Sequence, residues 1–353
     1  MKIIHVIESG GGTTVFVLYL VKYLKEHHHH LICSDRTFEN KPFTGYPNLS
    51  IHPWRHVKRE ISPVNDFRAV VSLYRLLKEI DADVIHLHSS KAGFLGRVVT
   101  FLLRKKNVIY TPNGAAFLRT DVSPVKRKLY VLFEKLADKL SGRVVGCSKS
   151  EADAYINEGI PATYVNNGTE VVTVAETFSR NDDTFVIATV GRTTAQKGPE
   201  IFNRIAKHFE GDDRIKFLWI GTGELDHILT AKNITITGWL GKQDVLKTVA
   251  RSDLYLSTAL WEGLPFAVLE AMQLGRALLL TRCVGNVDLV KEELNGFVFS
   301  RPEEAVSKIE WFLQNPVDCK KMGMKSYDLA LKEFSVDGMA AKYDLEYKTP
   351  AKS

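Results

Sequence analysis

Short apolar runs alternate with amphipathic helical stretches from one end of this chain to the other, and the alternation starts afresh after residue 175. The first series predicts strands at Ile3–Ile7, Leu31–Cys33, Val84–His88, Val108–Tyr110 and Val144–Cys147. Between them come a tight Gly-rich loop at 9–12, helices at Thr14–Lys25 and Gly93–Leu103, and a helix opening at Ser148 or Ser150. The second series predicts strands at Phe185–Val190, Phe217–Ile220, Ile234–Thr237, Leu254–Ser257 and Ala277–Thr281, each followed by a helical stretch. A strand that is apolar along its whole length is buried on both faces. Helices between such strands return the chain to lay them parallel, so the pattern implies α/β architecture with parallel sheets.

At 353 residues the chain exceeds the size at which one hydrophobic core usually stops growing, so two domains are expected. The polar, turn-rich segment Glu176–Asp183 sets the boundary near 170–183, giving domains 1–175 and 176–335, with a final helix near 336–348 able to pack on either. No repeat of 20–50 residues is visible, so the halves share architecture rather than sequence. Hydrophobic content of 45% with 25% charged residues excludes disordered and fibrous classes. A net charge of +6 suits phosphate-bearing ligands or an anionic membrane surface and is too weak to demand nucleic acid. Cys33, Cys147, Cys283 and Cys319 show no C-x-x-C spacing, which fits a reducing compartment. With no signal-peptide pattern and no apolar run near the ~18 residues of a membrane span, a cytoplasmic protein is expected.

In open parallel sheets, ligands sit beyond the carboxyl ends of the strands. The most informative segment there is Trp261-Glu262-Gly263-Leu264-Pro265-Phe266-Ala267-Val268-Leu269-Glu270, which follows the strand Leu254–Ser257. Pro265 suits a first helical turn, and the amides around Gly263–Ala267 would face an anion with the helix dipole behind them. Glu270 lies about 6 Å further along the axis from Phe266 and can accept hydrogen bonds from a ribose diol. Glu262, in the loop ahead, can reach a second polyol across a diphosphate. The layout is that of a nucleoside diphosphate sugar. After the strand Phe185–Val190, Gly191-Arg192-Thr193-Thr194-Ala195-Gln196-Lys197-Gly198 carries two cations suited to a pyrophosphate, Arg192 by its fork and Lys197 as a point charge.

The Glu262/Glu270 pair, Gly191-Arg192 with Lys197-Gly198, Gly221-Thr222-Gly223-Glu224-Leu225 and Asn167-Gly168 together resemble the family-4 retaining glycosyltransferases. Val145–Ser148 also looks like that family. The resemblance spans nearly the whole chain. It implies the GT-B fold, two Rossmann-like domains whose parallel sheets face each other across a deep cleft, with acceptor on the first and nucleotide sugar on the second. By the same resemblance Arg192 and Lys197 bind the diphosphate and Glu262 contacts the transferred sugar. Glu270 binds the ribose, and Gly221 and Gly223 lie against base and ribose. Gly191, Gly263, Leu264, Pro265 and Phe266 complete the donor contacts, and no metal or cofactor is implied. Asp83–Gly93 looks like enzymes that build bacterial capsule, O-antigen or exopolysaccharide, which makes a polysaccharide or lipid-linked oligosaccharide the expected acceptor. His88, Ser89 and Lys91 would contact it. His86 and His88 share one strand face, so one of the two at most need be functional, with core packing as the other reading.

Two positions depart from the family pattern. A His-Gly is usual after the strand Val108–Tyr110, where this chain has Asn113-Gly114. Asn keeps a donor and an acceptor for the donor sugar but cannot take up a proton near neutral pH. The usual Gly-Gly-x-x-Glu stretch reads Gly285-Asn286-Val287-Asp288. The opening Gly10-Gly11-Gly12 is an incomplete dinucleotide fingerprint, since the third glycine would fall at Val15. Gly11 and Gly12 are read instead as letting the backbone approach the donor. The run His27–His30 lacks a ligand pattern and is expected to be exposed. The basic stretch 126–139 interleaves Lys and Arg with Leu129, Leu132 and Leu136, which suits either an anionic membrane surface or a packed helix with solvated lysines. Three further functions stay open on this architecture: a sugar-nucleotide epimerase or hydrolase, a non-catalytic nucleotide-sugar-binding subunit, and, least well supported, a dehydrogenase.

Overall fold

The computed structural model describes residues 1–8, 10–35, 45–58, 60–172 and 184–349. The chain forms two compact units, one comprising Met1–Leu118, Val122–Asn167 and Val336–Ser353, the other Arg119–Asp121 and Gly168–Ser335. The crossing at Asn167 comes a few residues before the expected boundary, whose polar segment Glu176–Asp183 lies outside the described residues. Both Rossmann-like halves are α/β with wholly parallel sheets.

The first unit holds seven strands: β1 Lys2–Ile7, β2 His28–Ser34, β3 Leu49–Trp54, β4 Val84–His88, β5 Val108–Thr111, β6 Arg143–Gly146 and β7 Ala162–Tyr164. Their order is β3-β2-β1-β4-β5-β6-β7, which reverses direction between β1 and β4. The helices are α1 Gly12–Tyr23, α2 Pro63–Glu79, α3 Ser90–Leu102, α4 Pro124–Leu140 and α5 Lys149–Asn157. Alternate strand residues serve different layers. Ile4, Val6, Ile85 and Leu87 pack with Ala69 and Leu73 of α2 and Leu95 and Val99 of α3. On the opposite face the intervening His5 packs on His86 and His88, both of which meet Phe16 of α1, and His86 also meets Tyr343 of the last helix.

The His27–His30 run corrects the expectation of exposure. His28–His30 begin β2, so burial alternates with strand period: His29 is fully buried, while His28 is exposed. His27, just ahead of the strand, is nearly buried and its Nε2 lies 2.7 Å from Asp344. Strand β2 is therefore longer than the apolar Leu31–Cys33 alone indicated.

The second unit has six strands: β8 Phe185–Val190, β9 Ile215–Ile220, β10 Ile234–Ile236, β11 Leu254–Ser257, β12 Ala277–Thr281 and β13 Gly296–Phe299. Their order is β10-β9-β8-β11-β12-β13, with the reversal between β8 and β11. Helices α6 Pro199–His208, α7 Lys242–Ala250, α8 Phe266–Gln273, α9 Asn286–Leu289, α10 Pro302–Gln314 and α11 Pro316–Glu333 surround the sheet. Phe202, Ile205, Phe217, Trp219, Leu254, Leu279, Phe297 and Phe312 form its core. The last helix, α12 Val336–Lys348, returns to the first unit and packs on α1. Its buried Tyr347 hydroxyl lies 2.8 Å from His86 Nδ1, and Arg143 Nε is 3.1 Å from Glu346. No helix of the described residues is long and apolar enough to cross a membrane.

Candidate functional site

A sheet whose order reverses opens a crevice at the reversal, because the two flanking loops leave in opposite directions. In the second unit those loops are 191–198 after β8 and 258–265 after β11. They hold the two segments singled out from sequence. Hydrogen bonds stitch them together: Leu260 N–H to Gln196 O (2.8 Å), Thr258 Oγ1 to Lys197 O (2.8 Å) and Gln196 Nε2 to Trp261 O (3.1 Å). Lys197 Nζ donates to Glu262 Oε1 at 2.7 Å. Glu270, on the first turns of α8, pairs with Lys242 at the start of α7. Each carboxylate of the pair thus has its own lysine. Arg192 is exposed on the same loop as Lys197.

Burial sets the electrostatics. It raises the Glu270 carboxyl above the usual range, against the pull of Lys242. Tyr255, buried beneath the site with its hydroxyl accepting from Val190 N–H at 3.3 Å, is raised by burial and by the nearby Glu262 and Glu270. Cys283 is pushed up to about 12 by burial, with Glu262 adding to the effect, so it is a neutral thiol.

Glycines at three positions of the site are required by close backbone approach. A Cβ on Gly221 (φ 131°) would lie 2.3 Å from Gly191 O, and one on Gly285 (φ 83°) 2.3 Å from Gly263 O. These contacts clamp the β8 and β9 loops together, and likewise the β11 and β12 loops. Gly223 approaches Thr193 in the same way, at 2.6 Å. The expected contacts of Gly221 and Gly223 with base and ribose therefore share their surfaces with a structural need. Pro265 is the N-cap of α8, with helical geometry beginning at Phe266, one residue later than its expected place inside the first turn. Gly263 and Leu264 are buried in the loop ahead of it.

The sequence reading missed three supports of this site. Lys242, the partner of Glu270, lies 28 residues away and has no local signal. Gln196 reaches both Trp261 O and, at 3.4 Å, Glu262. Asp226 accepts from the Thr193 and Thr222 hydroxyls and from Gly223 N–H (3.0 Å). Burial would raise its carboxyl, but these donors hold it below the ordinary value.

In the first unit the reversal lies between β1 and β4, so the turn at Gly10–Gly11 with the start of α1, and Ser89 with the start of α3, flank its crevice. Gly11 (φ 79°) is the exposed N-cap of α1, and Gly12 is the first residue of that helix. Ser89 is half-buried with φ 68°, and Lys91 pairs with Asp66 at 2.7 Å and with Glu60 O. His88 is a correction. It is the last residue of β4, so its side chain stands perpendicular to the sheet beneath α1 rather than beyond the strand end, and it is fully buried.

The histidines beneath α1 form a directional chain. His29 Nε2 lies 3.1 Å from Leu24 O, which can only accept, so His29 Nδ1 must accept from His5 Nε2 at 3.0 Å. His5 Nδ1 then accepts from His88 Nε2 at 3.1 Å, and the chain ends at His88 Nδ1, buried without a partner. All are neutral: burial lowers His29 to about 4 and His88 to about 3, and holds His5 and His86 well below the ordinary value. Among the described residues, His5, His86 and His88 form one group able to hold a metal ion, and Glu26, His27 and Asp344 another; both lie in the first unit.

Asn113 takes the left-handed conformation (φ 55°), and its Nδ2 donates to Thr111 O at 3.2 Å. The loop that carries it is held by Glu151, which the sequence reading did not single out. One oxygen of this fully buried carboxylate accepts from Gly114 N–H (2.7 Å) and Ala115 N–H (3.1 Å), the other from Cys147 N–H (2.8 Å). Burial raises the Glu151 carboxyl, and the three amides oppose that rise. Asp288 lies half-buried in the short helix α9.

Comparison with known proteins gives this geometry its family. Residues 174–328 match the glycosyl transferases group 1, and residues 10–172 match Glycosyltransferase Family 4. The chain is 30% identical over 296 residues, 76% of its own length and 75% of the relative's, to the UDP-Gal:alpha-D-GlcNAc-diphosphoundecaprenol alpha-1,3-galactosyltransferase of Escherichia coli. Among solved structures, the sucrose-phosphate synthase of Thermosynechococcus elongatus superposes with TM-score 0.83 at 15% identity, covering 98% of each chain. HepE of Anabaena, in complex with UDP and glucose, superposes with TM-score 0.79 at 16% identity over 99% of each. Both share the two-halved α/β architecture described above. On the match to the Escherichia coli transferase and on the two family matches that together run almost from end to end, the chain belongs to the family-4 glycosyltransferases, with the GT-B fold.

Proposed function

We propose that this glycosyltransferase moves a hexose or N-acetylhexosamine from a UDP sugar, with retention at the anomeric carbon, to a hydroxyl of a lipid-linked surface-polysaccharide precursor. The second unit takes the nucleotide sugar and the first the acceptor. The observation that carries this reading is the pairing of Lys197 with Glu262 on the two loops that flank the strand-order reversal, with Glu270 on the helix that follows paired to Lys242 of α7. Without donor, each lysine offsets the charge of a largely buried carboxylate. With donor, the diphosphate is a stronger partner for Lys197 and Arg192, which frees Glu262 for sugar hydroxyls and Glu270 for the ribose. The choice of UDP and of a diphospholipid acceptor is supported by the name of the Escherichia coli relative and by the UDP and glucose bound to HepE.

In the proposed step the acceptor oxygen bonds to the anomeric carbon on the face from which UDP departs. The bond from that carbon to the β-phosphate oxygen breaks, and the acceptor proton passes to the leaving phosphate. Lys197 and Arg192 stabilise the charge that develops there. No side-chain nucleophile, cofactor or metal ion has a role in this reading. We place the reaction on the cytoplasmic side of a membrane, consistent with four free cysteines and with the basic helix 126–139.

The test incubates purified protein with UDP sugars and a GlcNAc-diphospholipid acceptor, following UDP release and the anomeric configuration of the product by NMR. Acceptor-dependent UDP release with an α-linked product from an α-linked donor supports the reading. UDP release or donor isomerisation independent of acceptor refutes it in favour of a hydrolase or epimerase. Asn113 favours a second reading, a nucleotide-sugar-binding subunit without turnover, because it cannot carry the proton that a histidine there would. Calorimetric donor binding with no transfer to any lipid-linked acceptor would select it.

A further inference from the structure

Two helices of the first unit turn apolar side chains outward. On α4, Val125, Leu129, Leu132 and Leu136 are all exposed, Val125 by 78% and Leu132 by 50%. Their spacing of four, three and four residues places them in one stripe of the helix. The opposite side of α4 is its packed side: Glu134 and Ala137 are buried, and Phe133 meets Phe94 of α3. On α2 a shorter exposed stretch recurs at the start of the helix, at Val64 and Phe67, and continues along the same side into half-buried Val71 and Tyr74, the latter packed against the core. Val64 and Phe67 are 64% and 69% exposed. A core-facing helix has no reason to present such a stripe to water, and two in one unit form an apolar surface of the kind that marks an interaction site. Helix α3 packs between α2 and α4 and adds exposed Phe101 and Leu102 at its end. A groove of about 430 Å³ runs between α2 and α3, lined by Phe67, Val70, Val71, Tyr74 and Leu102 together with Arg75, Lys78 and Glu79.

The charge around the stripes names the occupant. Lys126, Lys128, Lys135 and Lys139 are exposed along α4, and Arg68, Arg75 and Lys78 along α2. Among the acids nearby, Glu134 is buried against Arg97 at 2.5 Å, Asp66 pairs with Lys91 and Glu158 lies 3.9 Å from Lys135, while Asp138 is half-buried and Glu79 exposed. An apolar stripe edged by cations fits the surface of a bilayer containing anionic lipid, where leucines enter the acyl boundary and lysines stay among the headgroups. We infer that α2 and α4 together form one membrane-docking face, so that the basic helix 126–139 is half of the surface rather than the whole. The inference deepens the proposed lipid-linked acceptor and rests on that reading for its purpose. The Lys91–Asp66 pair ties the first turn of α3, which follows β4, to the first turn of α2.

The experiment is co-sedimentation of the purified full chain with vesicles of phosphatidylcholine alone and with about one-third phosphatidylglycerol, without donor or acceptor, so its outcome is independent of the transferase assay. Binding is expected only with phosphatidylglycerol and should weaken as salt shortens the screening length from about 10 Å to about 3 Å. The doubles Leu129→Glu/Leu132→Glu on α4 and Val64→Glu/Phe67→Glu on α2 should each lower the partition coefficient roughly tenfold or more. Val317→Glu, at an exposed apolar position of the second unit, should leave it unchanged. Transfer to a short water-soluble acceptor should survive in all three variants. No binding to anionic vesicles would overturn the inference, as would loss from the α4 double alone. A dimer in solution that both doubles dissolve would overturn it too, by making a second copy the occupant.

Discussion

Taking the protein from about pH 7.5 to about pH 5 should weaken the first unit in particular, for a reason visible in its core. His29 and His88 are fully buried and neutral, with values lowered from the ordinary 6.5 to about 4 and about 3. The unfolded chain therefore binds protons that the folded chain refuses, so stability is full above about pH 6.5 and falls as pH drops toward the folded values. About pH 5 lies roughly 1.5 units below the ordinary value of the unfolded histidine, and at roughly 1.4 kcal/mol per unit each residue withdraws about 2 kcal/mol. Together they withdraw roughly 4 kcal/mol from a total that is ordinarily about 5–15 kcal/mol. His5 and His86 act in the same direction. Urea unfolding followed by the fluorescence of Trp54, which is fully buried in this unit, reads the effect. With a slope near 2 kcal/mol per molar, the midpoint should fall by roughly 2 M. The histidines of the second unit, His208 and His227, lie outside its core, so its transition should move far less. In His29→Gln, whose amide can still donate to Leu24 O, the pH dependence should shrink. A first-unit midpoint equal at the two pH values would refute the neutral histidine chain.

Three further outcomes follow from single contacts. Arg97→Met should lower stability by about 3–5 kcal/mol because it strands the buried Glu134 carboxylate, and pairing it with Glu134→Leu should recover part of the loss, both read by denaturant unfolding. Gly221→Ala should raise the donor KM and Kd while leaving the first unit's unfolding unchanged, because its Cβ would collide with Gly191 O. Glu151→Ala removes the acceptor of three amides and should cost about 3 kcal/mol or more. It should also lower kcat more than donor affinity by releasing the Asn113 loop.

Much of this fold was legible because its central strands are buried on both faces. Phe185–Val190, Leu254–Ser257 and Ala277–Thr281 are apolar runs that the chain uses with those same bounds. Two of the three missed strands lacked that signature: β3 contains His52 and Pro53 at a sheet edge, and β7 is a three-residue edge strand with exposed Tyr164, whereas β13, Gly296–Phe299, is a buried apolar edge strand of only four residues that opens on a glycine. The histidines misled for a physical reason. A run of four reads as polar and exposed, yet ring nitrogens that satisfy one another can be buried, and only the three-dimensional partners of His29 reveal this. The candidate site was readable where its chemistry is local in sequence, as in 191–198 and 261–270. Lys242 meets Glu270 from 28 residues away, and Asp226 and Glu151 bond both to near neighbours and to the remote Thr193 and Gly114, so those long-range ties appear only after folding.

The central claim is that Lys197 and Glu262 act on one activated sugar, and the most direct test is turnover by purified Lys197→Ala beside wild type, with circular dichroism and urea midpoint to establish an intact fold. Removing a group that stabilises charge on the departing phosphate should lower kcat by roughly a hundredfold or more. Near-normal turnover in folded Lys197→Ala would contradict the account.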